Sequence, residues 1–437
     1  MRARSLAPLR HRGFRLLAAG QLASNVGDAF YAVALPWYVL ANHGGALLLG
    51  TVLAAYGVPR TVLLAAGGHA SDRWRPWTVM MTSDTVRAVA AVALAVAAAS
   101  GPARAIVLVP IAAVLGAGEG LFLPGSFAIV PALLPDEDLQ SGNALASATT
   151  QLATLAGPVI GGALVAIIGP SPAFAVDAAS FAVSALTLMG VRSASRSRAA
   201  TGAKPAISPH SAAKPEQAPR TVWRLLRSER VLQISLLVTI AANLGSGGAA
   251  EVALPALAHG PLRAGAGGYG ALIAAFGAGA LIGAIVAGQA RRARRPAVVG
   301  SLAFLAEALF LAAVPYAGGL AAIGATIAAF GVFNGFGNVV MITVFQRWAP
   351  AEMLGRLTGL LLLASFGVFP ISVALGALVV HRFGPVPFFP LAAAVLAAAI
   401  LAGLSQRCWR NLGATGRART PASRRRMPGN RRLVPER

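Results

Sequence analysis

Six ionisable side chains stand inside stretches that are otherwise almost wholly apolar: Asp28, Arg60, Asp84, Arg87, Glu119 and Glu307. A charge in hydrocarbon is costly and persists only beside a partner or in a wet cavity, so each is a candidate for ion handling. A carboxylate beside a mobile guanidinium can bind and release a proton as the distance between them changes. Asp28 and Glu119 are the leading proton or cation-substrate carboxylates. Arg60, Asp84 and Arg87 lie at depths that allow pairing with them, and Glu307 is a third acid near mid-depth of its own segment. A static ion pair is the competing reading of the same residues. Asp177 and Glu251 lie nearer a segment end and rank lower.

Polar residues near these charges recur at helical spacing. Gln21, Ser24, Asn25, Asp28 and Tyr31 share one face at i, i+3, i+4 and i+7. Asn143, Ser147, Thr150, Gln151 and Thr154 form a second stripe, and Asn334 with Asn338 a shorter third. Such stripes face a bundle interior or a wet cavity, where they line a substrate path or serve as interhelical hydrogen-bond glue. Catalysis is not indicated. The single Cys408 and six scattered histidines offer no metal-ligand spacing, and no phosphate-binding Gly-x-x-x-x-Gly-Lys loop occurs. His43, His259 and His381 fall in expected loops. No cofactor or metal is called for.

The elements that must carry these residues follow from composition. Of 437 residues, 56% are hydrophobic and 12% charged, half the charge usual in soluble domains, about 25%. A span needs about 20 apolar residues, and lipid forces it to be helical unless a barrel closes. The runs here are too long for barrel strands. Twelve spans are expected, near 14–40, 46–68, 77–99, 105–132, 141–168, 172–191, 231–257, 268–290, 297–316, 319–345, 357–380 and 385–406. Of the 37 Lys and Arg, 32 fall in one alternating set of connections and the tails. Arg104, Arg263 and Arg382 alone occupy the other set. That asymmetry places both termini in the cytoplasm. It also accounts for the net charge of +23 by orientation and attraction to anionic lipid, not by nucleic-acid binding.

Residues 193–220, rich in Ser, Ala, Pro and basic side chains, read as a disordered linker, with an amphipathic stretch at 221–230. The linker separates two halves that echo each other. Ala54-Ala-Tyr-Gly57 matches Ala274-Ala-Phe-Gly277, Gly68 matches Gly288, and Arg75-Pro76 matches Arg295-Pro296. Asn25-x-Gly27 and Ala34-Leu35-Pro36 match Asn243-x-Gly245 and Ala253-Leu254-Pro255. Expected units are a six-helix bundle over 1–191, a cytoplasmic linker over 192–230, a second bundle over 231–406 and a basic tail over 407–437. Repeated halves with a site between them suit a secondary transporter.

Two motifs sharpen this. The segment expected to be the loop after span 2 carries Gly68-x-x-x-Asp72-Arg73-x-Arg75. It resembles motif A of the major facilitator superfamily, though a later glycine is absent. The resemblance implies a conformational latch made by Gly68, Asp72, Arg73 and Arg75. Gly157-Pro158-x-x-Gly161-Gly162 in span 5 is similar to the core of motif C, which the superfamily associates with antiporting exporters. Together with Gly20-Gln21, Gly27-Asp28, Ser83-Asp84, Arg87-Ala88 and Gly355-Arg356, the chain most resembles the bacterial drug, macrolide and enterobactin exporter branch. The resemblance implies an all-α membrane protein of twelve transmembrane helices in two six-helix pseudo-repeats. It implies efflux of a small amphipathic molecule across the inner membrane, driven by a proton gradient, from a monomer. An importer or facilitator is the alternative. Coupling is expected in residues 1–191, with the second half completing the cavity.

Overall fold

The computed structural model describes residues 7–200, 226–289, 294–349 and 354–413, in which every regular element is helical. The long helices in the first half are α1 Arg12–Ala41, α2 Gly45–Trp74, α3 Pro76–Ser100, α4 Ala105–Leu133, α5 Asp136–Ile168 and α6 Pro170–Ala200. The second half has α7 Arg230–His259, α8 Gly265–Gln289, α9 Pro296–Ala313, α10 Gly319–Trp348, α11 Leu354–Phe383 and α12 Phe388–Ser405. A 3-10 turn, Ala7–Arg10, precedes α1, and a short helix, Arg407–Arg410, follows α12. Among the described residues, ten helices are long and apolar enough to cross a membrane. The exceptions are α1 and α5, whose polar stripes dilute their hydropathy; in α5 the apolar part is Leu155–Ile168.

Several expected boundaries shift. The segment Gly68–Arg73 is the last turns of α2, not a loop, because nothing breaks the helix before Pro76. The surroundings of Gly68 and the side chain of Asp72 lie outside the described residues. Arg75 alone makes the turn, at φ +64°, a conformation that suits glycine far better than arginine. The motif's missing glycine is the residue that would have relieved it. The expected loop over 133–140 shrinks to Leu134-Pro135, which puts Asp136, Glu137 and Asp138 in the first turn of α5, where the helix dipole favours acids. The expected linker begins later, since α6 runs to Ala200; residues 201–225 lie outside the described residues. His259 ends α7 and meets the Trp37 ring edge-on at 5.2 Å, and His381 sits in the last turn of α11.

In lipid there is little hydrophobic drive between helices, so small residues and polar contacts select the neighbours. α1 packs on α5 and α6, α2 on α4, and α3 on α4 and α6; six helices later, α7 packs on α11 and α12, α8 on α10, and α9 on α10 and α12. Close backbone approach explains α2 against α4: a Cβ on Gly67 would stand 2.9 Å from the Gly120 carbonyl oxygen. Val89, Val96, Leu186 and Leu309 are exposed on the outer faces, where lipid would cover them.

Two further pairs, α2 with α11 and α5 with α8, join the halves. Both include close backbone approaches toward the end that carries the turns at Asn42–Gly44 and Gly260–Ala264, called here the far end. A Cβ on Gly162 would meet the Ala266 carbonyl oxygen at 2.9 Å and Gly270 Cα at 3.0 Å, and one on Gly50 would meet the Val373 oxygen at 3.1 Å. Toward the opposite, terminal end, Thr150 on α5 and Asn338 and Gln346 on α10 are exposed.

One irregularity bears directly on the site. Asn25 and Asn243 stand 218 positions apart, whereas Ala34 and Ala253 stand 219 apart. The extra residue is absorbed by a π turn in α7, Ala249–Ala253. Ser372 of α11, fully buried, inserts there: its Oγ accepts from Gly248 N–H at 2.6 Å and donates to the Leu244 carbonyl at 2.5 Å. Those two groups are the donor and acceptor of one α-helical step.

Candidate functional site

The first charged cluster hangs on α3. Arg87 pairs with Asp84 one turn earlier, and its Nη1 lies 3.9 Å from Asp28 Oδ1 on α1. The guanidinium is clamped between the rings of Phe122 on α4 and Phe181 on α6, at 4.7 and 4.2 Å from their centroids. Both rings present the negative faces that attract a cation. Asp84 and Arg87 are closed off, at 0% and 3% exposure, while the Asp28 side chain is 46% exposed. Two carboxylates therefore share one guanidinium, and the open one has room for a proton or a second cation.

The second cluster joins the halves. Arg60 Nη2 of α2 pairs with Glu119 Oε1 of α4 at 2.8 Å. The same guanidinium lies 4.3 Å from the Phe366 ring centroid of α11, and Thr61 Oγ1 donates to the Phe366 carbonyl at 2.9 Å. Any movement of α11 against α2 thus reaches the Arg60–Glu119 pair directly. In α9, Glu307 is 3% exposed and accepts a hydrogen bond from Asn334 Nδ2 at 3.0 Å; Asn338 in turn donates to the Asn334 carbonyl at 2.9 Å. The short stripe Asn334/Asn338 is the polar support of a buried acid.

The two longer stripes meet where Asn25 Nδ2 donates to Thr150 Oγ1 at 3.2 Å, joining α1 to α5. Asn243, which the sequence alignment of the halves matches to Asn25, makes a like bond: its Nδ2 donates to Ser365 Oγ at 3.3 Å, joining α7 to α11. Tyr31 is half-buried against Tyr56 and Phe174, ring centroids 6.1 and 6.2 Å away. The side chains of Gln151 and Thr154 lie outside the described residues. α5 is continuous through Pro158, and Gly161 and Gly157 pack on Phe30 and Ala29 of α1.

A cavity of about 400 Å³ lies beside these clusters, walled by Phe276, Phe330, Phe366, Phe369 and Phe389 and bordered by Arg60, Glu251 and Asn334. A second cavity, about 270 Å³, shares Asn243 and Ser365 with it and continues past Asn338 and Met341 to Trp409, toward the terminal end. Their walls come chiefly from the second half. Gln21, Asn25, Asp28 and Thr150 line neither.

Two acids that rank low by sequence belong to the interior. Asp177 of α6 is 1% exposed, with no hydrogen-bond partner for Oδ1 among the described residues, and packs where a Cβ on Gly27 would come within 2.7 Å of it. Glu251, carried by the π turn, borders the cavity, as Arg60 does. Counting residues from a span end misjudges both, since depth along a helix does not tell which face a residue takes. The one-residue slip between the matched segments of α1 and α7 is the available signal for Glu251.

A helical bundle with charged pairs held in its interior beside a cavity is the arrangement expected of a membrane transporter. Comparison with known proteins agrees. The family model described as transmembrane secretion effector matches residues 3–407. The enterobactin exporter EntS of Shigella boydii serotype 4 is 27% identical over 362 residues, covering 80% of this chain and 81% of the relative. That of Salmonella typhimurium is 26% identical over 364 residues, with the same coverage of each. The nucleoside transporter NupG aligns with TM-score 0.69 at 12% identity, over 90% of this chain and 99% of its own. A bacterial homologue of the iron transporter ferroportin, in an inward-facing state, aligns with TM-score 0.66 at 17% identity, over 90% and 98%. The chain belongs to the transmembrane secretion effector family of the major facilitator superfamily.

Proposed function

We propose that the protein is a proton-coupled exporter of a small amphipathic molecule, such as a drug, antibiotic or siderophore, working by alternating access. The observation that carries this reading is the sharing of Arg87 by two carboxylates, one sealed (Asp84) and one open (Asp28), beside a second pair, Arg60–Glu119, that touches the other half through Phe366. Rocking of the halves changes the distance between each cation and its acid. That change loads a proton in one state and expels it in the other.

The twelve long helices act as two six-helix halves, residues 1–191 and 231–406, joined by the linker and followed by the basic tail. Their repeated neighbour pattern and the matched Asn25 and Asn243 bonds support that division. Both termini lie in the cytoplasm, on the strength of the basic connections, and the membrane is the bacterial inner membrane, where exporters of this family work. The far end is then the outer gate, closed by Gly162 against Gly270 and by Gly50 against α11. Pro158 and its glycines form the antiporter bend, and Gly68, Asp72, Arg73 and Arg75 the cytoplasmic latch. The relatives named as enterobactin exporters support export over import. The protein works as a monomer, with substrate, protons and lipid as its only partners and no cofactor.

The test is efflux from everted vesicles with and without an imposed pH gradient. Wild-type vesicles accumulate substrate only with the gradient and release protons on substrate addition. Asp28→Asn and Glu119→Gln abolish that proton release. Coupling unchanged in both variants would refute the assignment.

A further inference from the structure

The cavity's chemistry is not that of the Arg87 cluster. Arg60, the only base on its wall, already has its charge answered by Glu119 at 2.8 Å. Glu251, on the same wall, makes no hydrogen bond or ion pair among the described residues. The rest of the lining is aromatic or aliphatic apart from Asn243, Ser246, Asn334 and Ser365. Asn334 is occupied with Glu307, and Asn243 with Ser365. One carboxylate with no hydrogen bond or ion pair among the described residues therefore faces a chamber that five phenylalanine rings line. Ring faces and a carboxylate favour the same guest, an organic cation with an apolar body.

Glu251 reaches this place through a local departure from regular helix. The π turn Ala249–Ala253 adds one residue that α1 lacks, and Ser372 secures the turn's first end by bonding Gly248 N–H and the Leu244 carbonyl. A single added residue rotates the remainder of a helix by about 100°, given 3.6 residues per turn. The first half has no acid at the matching place, which falls at Ala32 or Val33.

We propose that Glu251 is the specificity-determining residue of a cation subsite in the second half, which accepts the ammonium or phosphonium centre of a lipophilic cation while the phenylalanine walls hold its apolar body. The proposal rests on the reading of the chain as an exporter and names the charge class of its cargo. It assigns selection to the second half and leaves proton exchange to Asp28 and Glu119. Catecholate or carboxylate cargo would meet Glu251 unfavourably.

The experiment uses two probes of the same shape and opposite charge. Equilibrium binding of radiolabelled tetraphenylphosphonium is measured on the full chain in lipid nanodiscs, with tetraphenylborate as competitor and no gradient. Saturable binding of the cation, without competition by the borate, is expected. Glu251→Gln weakens it by about tenfold or more, about 1.4 kcal/mol; Glu251→Asp keeps most of it; Asp138→Asn, which also removes one carboxylate but far from the cavity, leaves it unchanged. No saturable cation binding by the wild type, equal competition by the borate, or a wild-type Kd in Glu251→Gln would overturn the proposal. If Glu251→Gln fails to fold, the borate contrast on the wild type and the Glu251→Asp variant still decide it. Because no gradient is used, failure here leaves the vesicle result standing, and failure of proton coupling leaves this one standing.

Discussion

Replacing Gly162 by alanine tests whether the far-end contact between α5 and α8 is a gate. The added Cβ would stand 2.9 Å from the Ala266 carbonyl oxygen and 3.0 Å from Gly270 Cα, where ordinary contact is 3.4–4 Å. Both obstacles are backbone atoms, so no side chain can swing aside. The two helices must part by about half an ångström, and overpacking of this kind costs roughly 1–3 kcal/mol. The cost falls only on the state in which the far end is closed. A two-state equilibrium therefore shifts toward far-end opening by about 5- to 150-fold. The assay is a double electron–electron resonance distance between nitroxides at Arg104→Cys and Arg263→Cys, exposed positions at the far end of the two halves. The background is Cys408→Ser, since Cys408 is the only cysteine. Gly162→Ala should show a new or enlarged population at longer distance. Ile160→Ala, on an exposed face of the same helix, should not. A folded Gly162→Ala protein with the parent's distance distribution would refute the gate.

Three other perturbations test the geometry. Arg87→Met strands Asp84 in a closed site, a loss of about 3–5 kcal/mol for breaking a buried pair; unfolding in mixed micelles should show it, and Arg87→Met with Asp84→Leu should recover much of it. Equal stability of the single and double variants would mean the pair is not coupled. Ser372→Ala removes both bonds to α7 and should cost about 1–3 kcal/mol in the same assay, with no change expected if the π turn holds itself. Arg75→Gly relieves a left-handed residue and should stabilise by up to about 1–2 kcal/mol; a loss of stability would show that the Arg75 side chain matters more than its backbone.

The sequence is most legible where physics acts on whole segments. Apolar length and the scarcity of charge give helices in lipid with few alternatives, and Arg60 with Glu119 and Arg87 with Asp84 fall within pairing range because each pair shares a depth. Similar spacing identifies Asn25 as facing a partner, and Asn243 as its mate. What escapes is anything set by rotation about a helix axis. Distance from a span end ranks Glu251 and Asp177 low, yet Asp177 is sealed against Gly27 and Glu251 borders the cavity. The aromatic walls are likewise hidden, since Phe276, Phe330, Phe366, Phe369 and Phe389 come from four helices whose mutual placement no local pattern records. The motif near Gly68 reads as a loop because charges cluster there, but α2 continues through it until Pro76 stops the run.

The extra residue in α7 has a meaning for how such a molecule arises. A duplicated bundle begins as two copies able to perform the same task, and divergence by substitution alters them one side chain at a time. An inserted codon alters every contact beyond it at once, by turning the remainder of the helix relative to its neighbours. Here a buried serine on α11 keeps that turned segment in register with the rest of its bundle. The asymmetry of the two halves therefore need not have accumulated gradually. A single added residue, stabilised by one hydroxyl, suffices to make the interior of the second half differ from that of the first.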